Sequence, residues 1–126
     1  RVNVNSAFYL TQALLALLRD SDDGRILFTS SSVGRKGRAF WGAYAASKAA
    51  TENLSQTLAE ELENTSKIRV NTINPGATRT DMRALAYPGE NAEKLKTPEQ
   101  IVASYLYLLG PEGAAVNGQS LDAQPR

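Results

Sequence analysis

Apolar residues recur at three- and four-residue steps in three stretches of the chain, a periodicity that predicts amphipathic helices. These stretches cover about residues 5–18, 42–64 and 98–109. The third opens on Thr97-Pro98-Glu99-Gln100, in which the threonine suits the N-cap, the proline the first helical position and the glutamine a capping box. Gly110-Pro111 follows and predicts the end of that helix.

Three shorter apolar runs predict β-strands between these helices. Residues 25–29 contain three consecutive apolar side chains, a pattern typical of a strand that is covered on both faces. Residues 68–74 form the second predicted strand, which Pro75-Gly76 stops, and residues 119–123 form the third. Helices and strands therefore alternate, which predicts parallel strands joined by right-handed crossovers. The predicted fold class is α/β.

Two polar segments are predicted to be loops. Residues 34–42 hold three glycines and the basic cluster Arg35-Lys36-Gly37-Arg38, which we interpret as a solvated loop rather than a phosphate site. Residues 78–96 are mostly polar and predict a mobile loop with a helical turn or two. Arg79 and Arg83 in that segment are interpreted as solvated, with contact to an anionic substrate or a pyrophosphate as the alternative.

Composition narrows the possible chemistry. The 126 residues suggest one domain, and 42% hydrophobic and 21% charged residues are ordinary for a globular protein. A net charge of +1 gives no overall field that would attract nucleic acid or an anionic membrane. The sequence has no cysteine and no histidine, so we expect no metal site, and acid–base chemistry must use Tyr, Lys, Asp or Glu. No apolar run approaches the ~20 residues of a membrane span, and we expect a cytoplasmic protein.

The segment Tyr44-Ala45-Ala46-Ser47-Lys48 carries the candidate chemistry. Residues four apart on a helix share one face, so the Tyr44 hydroxyl and the Lys48 ammonium should lie over one patch of surface. A phenol ordinarily ionises near pH ~10, and a cation held within roughly 4–6 Å favours its ionised form. A tyrosine tuned in this way gives a proton to a carbonyl oxygen or takes one from an alcohol. Taken alone, the pair is equally typical of an exposed helix surface.

Two other segments are predicted to face the same region. Ser31 lies 13 residues before Tyr44, at the end of the first predicted strand. Asn74-Pro75-Gly76 follows the second strand, with Thr80 just beyond it. Because ligands of open α/β sheets bind at the carboxyl ends of the strands, we expect these residues to share one crevice.

With these residues the chain resembles the short-chain dehydrogenase/reductase (SDR) family. The matching segments, in the family's order, are Val2-Asn3-Val4, Thr29-Ser30-Ser31-Ser32-Val33-Gly34, Tyr44 with Lys48, Arg69-Val70-Asn71, and Asn74-Pro75-Gly76-Ala77-Thr78-Arg79-Thr80. Within the family the chain is most similar to the YciK-type oxidoreductases, through the stretches Phe28 to Arg35, Trp41 to Lys48 and Asp122 to Pro125. The resemblance implies a partial Rossmann-type, doubly wound parallel sheet of about three strands with flanking helices.

The resemblance also implies catalytic roles. Tyr44 would be the acid/base that protonates a carbonyl oxygen as hydride arrives from a nicotinamide ring. Lys48 would favour the ionised phenol and hydrogen-bond the cofactor ribose, since an ammonium has three donors. Ser31 would hydrogen-bond the substrate oxygen, and only the 13-residue spacing selects it over the chemically similar Ser30 and Ser32.

Further implied roles fall on residues outside this triad. Asn3 would continue a proton relay from Lys48 through water, with the satisfaction of backbone groups at a helix start as the alternative. The Pro75-Gly76 turn would let backbone approach the nicotinamide, and Thr78 and Thr80 would lie near its carboxamide. Ordinary turn chemistry is the alternative for these four residues.

The implied function is an NAD(P)-dependent oxidoreductase that interconverts a carbonyl and an alcohol on a small molecule, with NADP(H) favoured over NAD(H). The family's glycine-rich pyrophosphate turn does not occur in the sequence. We therefore interpret residues 1–126 as the carboxyl-terminal catalytic half of an SDR, inactive alone. The alternatives are an epimerase or dehydratase of the same family, and an inactive fragment. Self-association as a homodimer or homotetramer is expected through helices at about 5–18 and 42–64. The substrate is not identified by the sequence.

Overall fold

A parallel three-stranded sheet forms the centre of the computed structural model, which describes residues 2–124. The strands lie in the order β1-β2-β3 and comprise β1 (Arg25–Thr29), β2 (Arg69–Asn74) and β3 (Ser120–Asp122). The register places Ile26 opposite Val70, and Ile73 opposite Leu121. All three predicted strands and the predicted α/β fold are confirmed.

Five α-helices and two short 3-10 helices surround the sheet within the described residues. The α-helices are α1 (Val2–Asp20), α2 (Ser32–Arg35), α3 (Gly42–Glu63), α4 (Asp81–Ala86) and α5 (Pro98–Leu109), and the 3-10 helices are Ala92–Lys94 and Pro111–Ala115. The predicted start of α5 is confirmed, because the Thr97 amide donates to Gln100 Oε1 at 2.8 Å and Gly110 caps the other end. The predicted loop at residues 34–42 begins instead within α2, which Ser31 caps.

The hydrophobic core lies between α3 and the sheet. Val70 of β2 is fully buried, and Leu62 and Ala59 of α3 and Ile68, just before β2, are nearly so. Leu15, Leu18, Ile26, Phe28 and Leu58 are partly buried and pack against this cluster. Removal of such apolar surface from water, at roughly 25 cal/mol per Å², is the main force that fixes α3 on the sheet. Tyr44 and Lys48 lie on α3, so their position relative to the sheet is fixed as well.

Strand β1 departs from its prediction. Its pattern of consecutive apolar residues predicted burial on both faces, whereas Arg25 to Phe28 are only half-buried and Thr29 is exposed. The reason is that β1 lies at an edge of the sheet within residues 2–124 and pairs with β2 alone.

Helix α1 exposes several apolar side chains. Thr11 is its buried residue, while Tyr9, Leu10 and Leu17 are each more than 60% exposed. In the part of the chain that the structure describes, no helix combines the length and the apolarity needed to cross a bilayer. Pro125, which ends one of the stretches shared with the YciK-type group, lies outside the described residues.

Candidate active site

A cleft with a volume of about 630 Å³ opens where β1 and β2 end. Residues 30–32 follow β1, residues 74–76 form the end of β2 and the turn after it, and both groups line the cleft. The other lining residues are Trp41, Tyr44, Ala77, Thr78, Thr80, Met82, Arg83, Ala86, Tyr87, Pro98, Ile101 and Tyr105. We call the side formed by α2 and α3 the inner wall, and the side formed by residues 78–96 the outer wall. The cleft lies where open α/β sheets bind ligands.

The inner wall depends on a close approach between α2 and α3. A Cβ atom at Gly34 would lie 2.9 Å from both the Cβ and the carbonyl carbon of Lys48, a distance that leaves no room for a side chain. Glycine at this position lets α2 lie directly against the second turn of α3. Ser31, the N-cap of α2, and Tyr44, in the first turn of α3, consequently line the same cleft.

Lys48 lies behind Tyr44 rather than in the lining of the cleft. Its Nζ atom is 5.6 Å from the centroid of the Tyr44 ring and donates a hydrogen bond of 3.0 Å to the Thr29 carbonyl oxygen. Burial lowers the pKa of the Lys48 ammonium from its ordinary value, because a charge is disfavoured away from water. One donor of the ammonium is thus used by β1, and two others are available.

Asn3 is connected to α3 by its side chain. Its Nδ2 atom donates to Ser47 Oγ at 3.1 Å, and Ser47 Oγ donates to the Tyr44 carbonyl oxygen at 2.7 Å. In this contact the Asn3 amide binds α3, whereas the alternative interpretation had it satisfy backbone groups at the start of its own helix. Asn3 lies beside the helix segment between Tyr44 and Lys48, and it does not line the cleft.

Hydrogen bonds to its backbone stabilise the turn after β2. Gly76 has a φ of 74°, a left-handed conformation that favours glycine, and its amide donates to Asn74 Oδ1 at 3.1 Å. Gln124 Nε2 donates to the carbonyl oxygens of Pro75 and Ala77, both at 2.9 Å. The turn therefore presents backbone rather than a side chain at Gly76.

Thr78 and Thr80 line the cleft and also stabilise local structure. Thr78 Oγ1 donates to the Gly76 carbonyl oxygen at 3.1 Å. Thr80 caps α4, since its Oγ1 accepts from the Arg83 amide at 3.2 Å. The turn chemistry considered for these residues is thus present, and each hydroxyl retains a free position for a further hydrogen bond.

A polar network behind the inner wall was not predicted. Arg35 donates to Ser120 Oγ at 2.8 Å and to Asp122 Oδ1 at 2.7 Å, and Asp122 Oδ1 also accepts from Asn74 at 3.0 Å. The interpretation of Arg35 as part of a solvated loop is therefore wrong. Its guanidinium instead connects α2 to β3. Through Asp122 it is also connected to Asn74, whose side chain accepts from the Gly76 amide.

Glu52 of α3 is the buried acid in this network. Its carboxylate accepts from Thr72 Oγ1 at 2.8 Å and from Ser120 Oγ at 2.9 Å, and Arg35 Nε lies 3.6 Å away. Burial alone would raise the pKa of Glu52. Hydrogen bonds from neighbouring hydroxyls and the charge of Arg35 outweigh burial, and the pKa lies below its ordinary value.

Aromatic side chains connect the inner wall to the outer wall. The rings of Trp41 and Tyr44 meet edge to face with centroids 5.7 Å apart, and Trp41 stacks on Tyr87 with an interplanar angle of 23°. Arg83 places its guanidinium carbon 3.7 Å from the Tyr87 centroid and makes two hydrogen bonds to the Glu90 carboxylate, at 2.8 and 2.9 Å. The interpretation of Arg83 as solvated is therefore wrong.

Arg79 stabilises the outer wall and does not line the cleft. Its guanidinium donates to the carbonyl oxygens of Ala92, Glu93 and Leu95 at distances of 2.8 to 3.2 Å, and its amide donates to the Lys96 carbonyl oxygen. The side chain is exposed, in agreement with its interpretation as solvated, and these bonds fix its position. The helical turns predicted in residues 78–96 are present as α4 and a 3-10 helix.

Comparison with known proteins identifies the family. A sequence model of the short chain dehydrogenase family matches residues 1–91, more than half of the chain. The chain belongs to the short-chain dehydrogenase/reductase family. This confirms the resemblance stated from the sequence and makes the chain a member of a family of oxidoreductases.

Individual relatives within the SDR family agree with this assignment. The uncharacterized oxidoreductase YciK of Escherichia coli (strain K12) is 58% identical over 99% of the chain. Crystal structures of short chain dehydrogenases from Escherichia coli CFT073, complexed with NADPH, and Shigella flexneri 2a, complexed with NADP, each cover 98% of the chain. Both have a TM-score of 0.94, with identities of 59% and 58%. The chain spans about half of each relative, 49% of YciK and 51% of each crystallised protein.

Six of the eight candidate site residues taken from the SDR resemblance line the cleft. Ser31, Tyr44, Pro75-Gly76, Thr78 and Thr80 all line it. Lys48 and Asn3 lie outside its lining and contact α3 or β1. No role was predicted from the sequence for Trp41, Tyr87, Glu52, Asp122 or Gln124. A tryptophan three residues before the candidate tyrosine was the available signal for the aromatic group.

Proposed function

We propose that this chain is the carboxyl-terminal catalytic half of an NADP(H)-dependent SDR that interconverts a carbonyl and an alcohol on a small molecule. The observation that supports the proposal most directly is the cleft that Ser31 and Tyr44 line together, with the Lys48 ammonium 5.6 Å from the Tyr44 ring. The NADPH and NADP bound to the two crystallised relatives favour NADP(H) over NAD(H) for this chain.

The proposed chemistry is general acid–base catalysis by Tyr44. In the direction of reduction, the Tyr44 hydroxyl gives its proton to the carbonyl oxygen while that oxygen gains negative charge. The nearby Lys48 cation stabilises the phenolate left behind. Ser31 donates a hydrogen bond to the same substrate oxygen, which stabilises the charge that develops there. In the direction of oxidation, the phenolate takes the alcohol proton.

Residues of the cleft fit a nicotinamide nucleotide. The bound cofactor would supply or accept the hydride. Lys48 has donors left for a ribose hydroxyl after its bond to Thr29, and the Gly76 turn presents bare backbone to a flat ring. We assign Tyr44, Lys48, Pro75, Gly76, Thr78 and Thr80 to cofactor binding.

Asn3 is proposed as the next member of a proton relay. Its amide reaches α3 at Ser47, adjacent to Lys48 in sequence, and a water molecule beside it would link the ammonium to solvent. The relay would return a proton to Tyr44 after each reduction. This role supplements the chemistry at Tyr44 and is not required for the hydride step.

An inactive, self-associating fragment is the second candidate for these 126 residues alone. The exposed apolar side chains of α1, among them Tyr9, Leu10 and Leu17, favour association of copies through α1 and α3 into a dimer or tetramer. We propose that a preceding half binds the adenosine and pyrophosphate, and that without it the chain does not reduce carbonyls. Light scattering of the purified chain tests self-association, and a stable monomer contradicts it. NADPH-dependent reduction of a carbonyl by the purified 126-residue chain would contradict the second point.

Replacement of Tyr44 by phenylalanine in the full-length enzyme tests the proposed chemistry. Tyr44→Phe removes the proton donor and keeps the ring, so kcat with NADPH and a panel of aldehydes and ketones should fall by about 10²- to 10⁴-fold. The dissociation constant for NADPH, measured by calorimetry, should change little. Tyr107→Phe, the same change on an exposed part of α5, is the matched control. Turnover near that of the wild type in Tyr44→Phe contradicts the proposal.

A further inference from the structure

The part of the cleft around Tyr44 is lined mainly by rings and aliphatic groups. Trp41, Tyr87 and Tyr105 contribute aromatic rings, and Met82 and Ile101 contribute aliphatic side chains. The stacked pair of Trp41 and Tyr87 lies beside the Tyr44 ring, which Trp41 contacts edge to face. Because Trp41 and Arg83 already stack on Tyr87, a ring next to the reacting carbonyl would pack chiefly against Trp41 and the edge of Tyr87.

Arg83 is the single charged residue among the described residues that line this cleft. Its guanidinium is already paired with Glu90 through two hydrogen bonds and stacks on Tyr87. The hydrogen bonds from Arg83 hold the pKa of Glu90 below its ordinary value, so Glu90 remains an anion at neutral pH. An anionic substrate would have to displace a carboxylate that is already bound, and would then lie close to a like charge.

We propose that this cleft selects uncharged carbonyl compounds that carry a ring, and that Glu90 excludes substrates bearing a carboxylate or phosphate by neutralising Arg83. The inference rests on the proposed function, because it names the substrate class of the same site. Trp41 and the edge of Tyr87 bind the ring, and the ring lies within a few bonds of the carbonyl, since Trp41 contacts Tyr44 directly. Glu90 is a specificity residue and touches no reacting atom.

Fluorescence of Trp41 tests binding without any turnover, because the chain contains one tryptophan. The 126-residue chain is titrated with 4-methylcyclohexanone, with 4-oxocyclohexanecarboxylate and with the open-chain 2-heptanone. We expect the uncharged ring to change the emission at concentrations about tenfold lower than the carboxylate, the equivalent of about 1.4 kcal/mol. It should also act at lower concentrations than 2-heptanone. Equal binding of the first two compounds overturns the charge selection, and equal binding of the ring and the open chain overturns the ring selection.

Glu90→Gln tests the mechanism of the charge selection. This variant removes the negative charge that neutralises Arg83, so binding of the carboxylate should strengthen about fivefold, as expected for a partly exposed ion pair. Glu93→Gln makes the same charge change three residues further on, and should leave the preference as it is in the wild type. Unchanged carboxylate binding in Glu90→Gln contradicts the role of Glu90.

Turnover in the full-length enzyme distinguishes a failure of the proposed substrate selection from a failure of the proposed oxidoreductase function. It also tests the substrate selection if the isolated chain shows no change in fluorescence. The same three compounds are assayed with NADPH, and kcat/KM is compared. Reduction of the carboxylate as fast as of 4-methylcyclohexanone overturns the selection while the proposed oxidoreductase function stands. Selective binding to Trp41 with no NADPH-dependent turnover of any carbonyl overturns the proposed function and leaves the ligand selection intact.

Discussion

The two walls of the cleft are held in place by different forces. On the inner wall, α3 has six buried residues and contacts α1, α2 and the sheet, and Gly34 lets α2 approach α3 closely. On the outer wall, α4 has no buried residue, and arginine side chains bind carbonyl oxygens and one carboxylate at the surface. The groups proposed to react thus lie on the tightly packed side, and three of the residues proposed to select the substrate, Arg83, Tyr87 and Glu90, lie on the other.

This difference predicts that substitutions on the inner wall affect stability, whereas substitutions on the outer wall affect substrate specificity. Disturbing close packing in a core costs about 1–3 kcal/mol of the free energy of unfolding and shifts backbone, whereas an exposed polar contact contributes about 1 kcal/mol or less. Changes on the inner wall should therefore reduce stability and turnover together. Changes on the outer wall should alter substrate binding while the fold and the geometry of Tyr44 persist.

The largest effect on stability is expected from Gly34→Ala. The added methyl group would lie 2.9 Å from backbone and Cβ atoms of Lys48, so α2 must move away from α3. We expect a loss of about 1–3 kcal/mol in the free energy of unfolding, measured by urea denaturation. Turnover of the full-length enzyme should fall by about 10²-fold, because displacement of Ser31 by about 1 Å disrupts the reacting geometry.

Gly37→Ala is the matched control for that substitution. A Cβ atom at Gly37 meets no heavy atom within 4 Å, so the same chemical change has no steric consequence there. Its stability and turnover should match those of the wild type. If Gly34→Ala behaves like Gly37→Ala, close contact between α2 and α3 does not position the reacting groups.

A smaller, pH-dependent effect is expected from Glu52→Gln. The folded protein holds the pKa of Glu52 below its ordinary value of 4.5. Ionised Glu52 therefore contributes stability above about pH 4.5, and that contribution is lost as the pH falls through the lower pKa of the folded state. At pH 7 we expect the variant to lose about 1–2 kcal/mol, because its hydrogen bonds are no longer charge-assisted.

Thermal unfolding between pH 3 and pH 7 measures this contribution. The wild type should lose stability on acidification more steeply than Glu52→Gln. The exposed Glu60→Gln on the same helix controls for a general charge effect and should keep the steep dependence. Parallel pH profiles for the wild type and Glu52→Gln would contradict the assignment of Glu52 as an ionised group that ties α3 to β2 and β3.

Sequence reasoning succeeded where the deciding contacts are local. The four-residue spacing of Tyr44 and Lys48 placed both side chains on one side of α3, and the signal at Thr97 and Gln100 located the start of α5. These features depend on helix periodicity and on capping, which neighbouring residues determine.

The same reasoning failed for contacts between residues that are distant in sequence. Arg35 was interpreted as solvated because its partners, Ser120 and Asp122, lie 85 and 87 residues further on. Strand β1 appeared to be covered on both faces because its apolar run does not reveal which strands pair with it. Arg83 and Glu90 are only seven residues apart, but they meet because a turn after α4 folds the chain back, which no periodic pattern encodes.

The smallest effect on stability is expected from Arg79→Ala on the outer wall. The substitution removes the bonds from the guanidinium to Ala92, Glu93 and Leu95 but leaves the backbone bond to Lys96. The free energy of unfolding should fall by about 1 kcal/mol or less, while amides of residues 92–95 exchange hydrogen faster in mass-spectrometric measurements. KM for a ketone should rise severalfold with little change in kcat, since the reacting groups lie on the inner wall. Arg38→Ala, at an exposed position outside the cleft, should change neither quantity. An equal fall in kcat for Arg79→Ala would mean that the outer wall helps to orient Tyr44, and the division between the two walls would then be wrong.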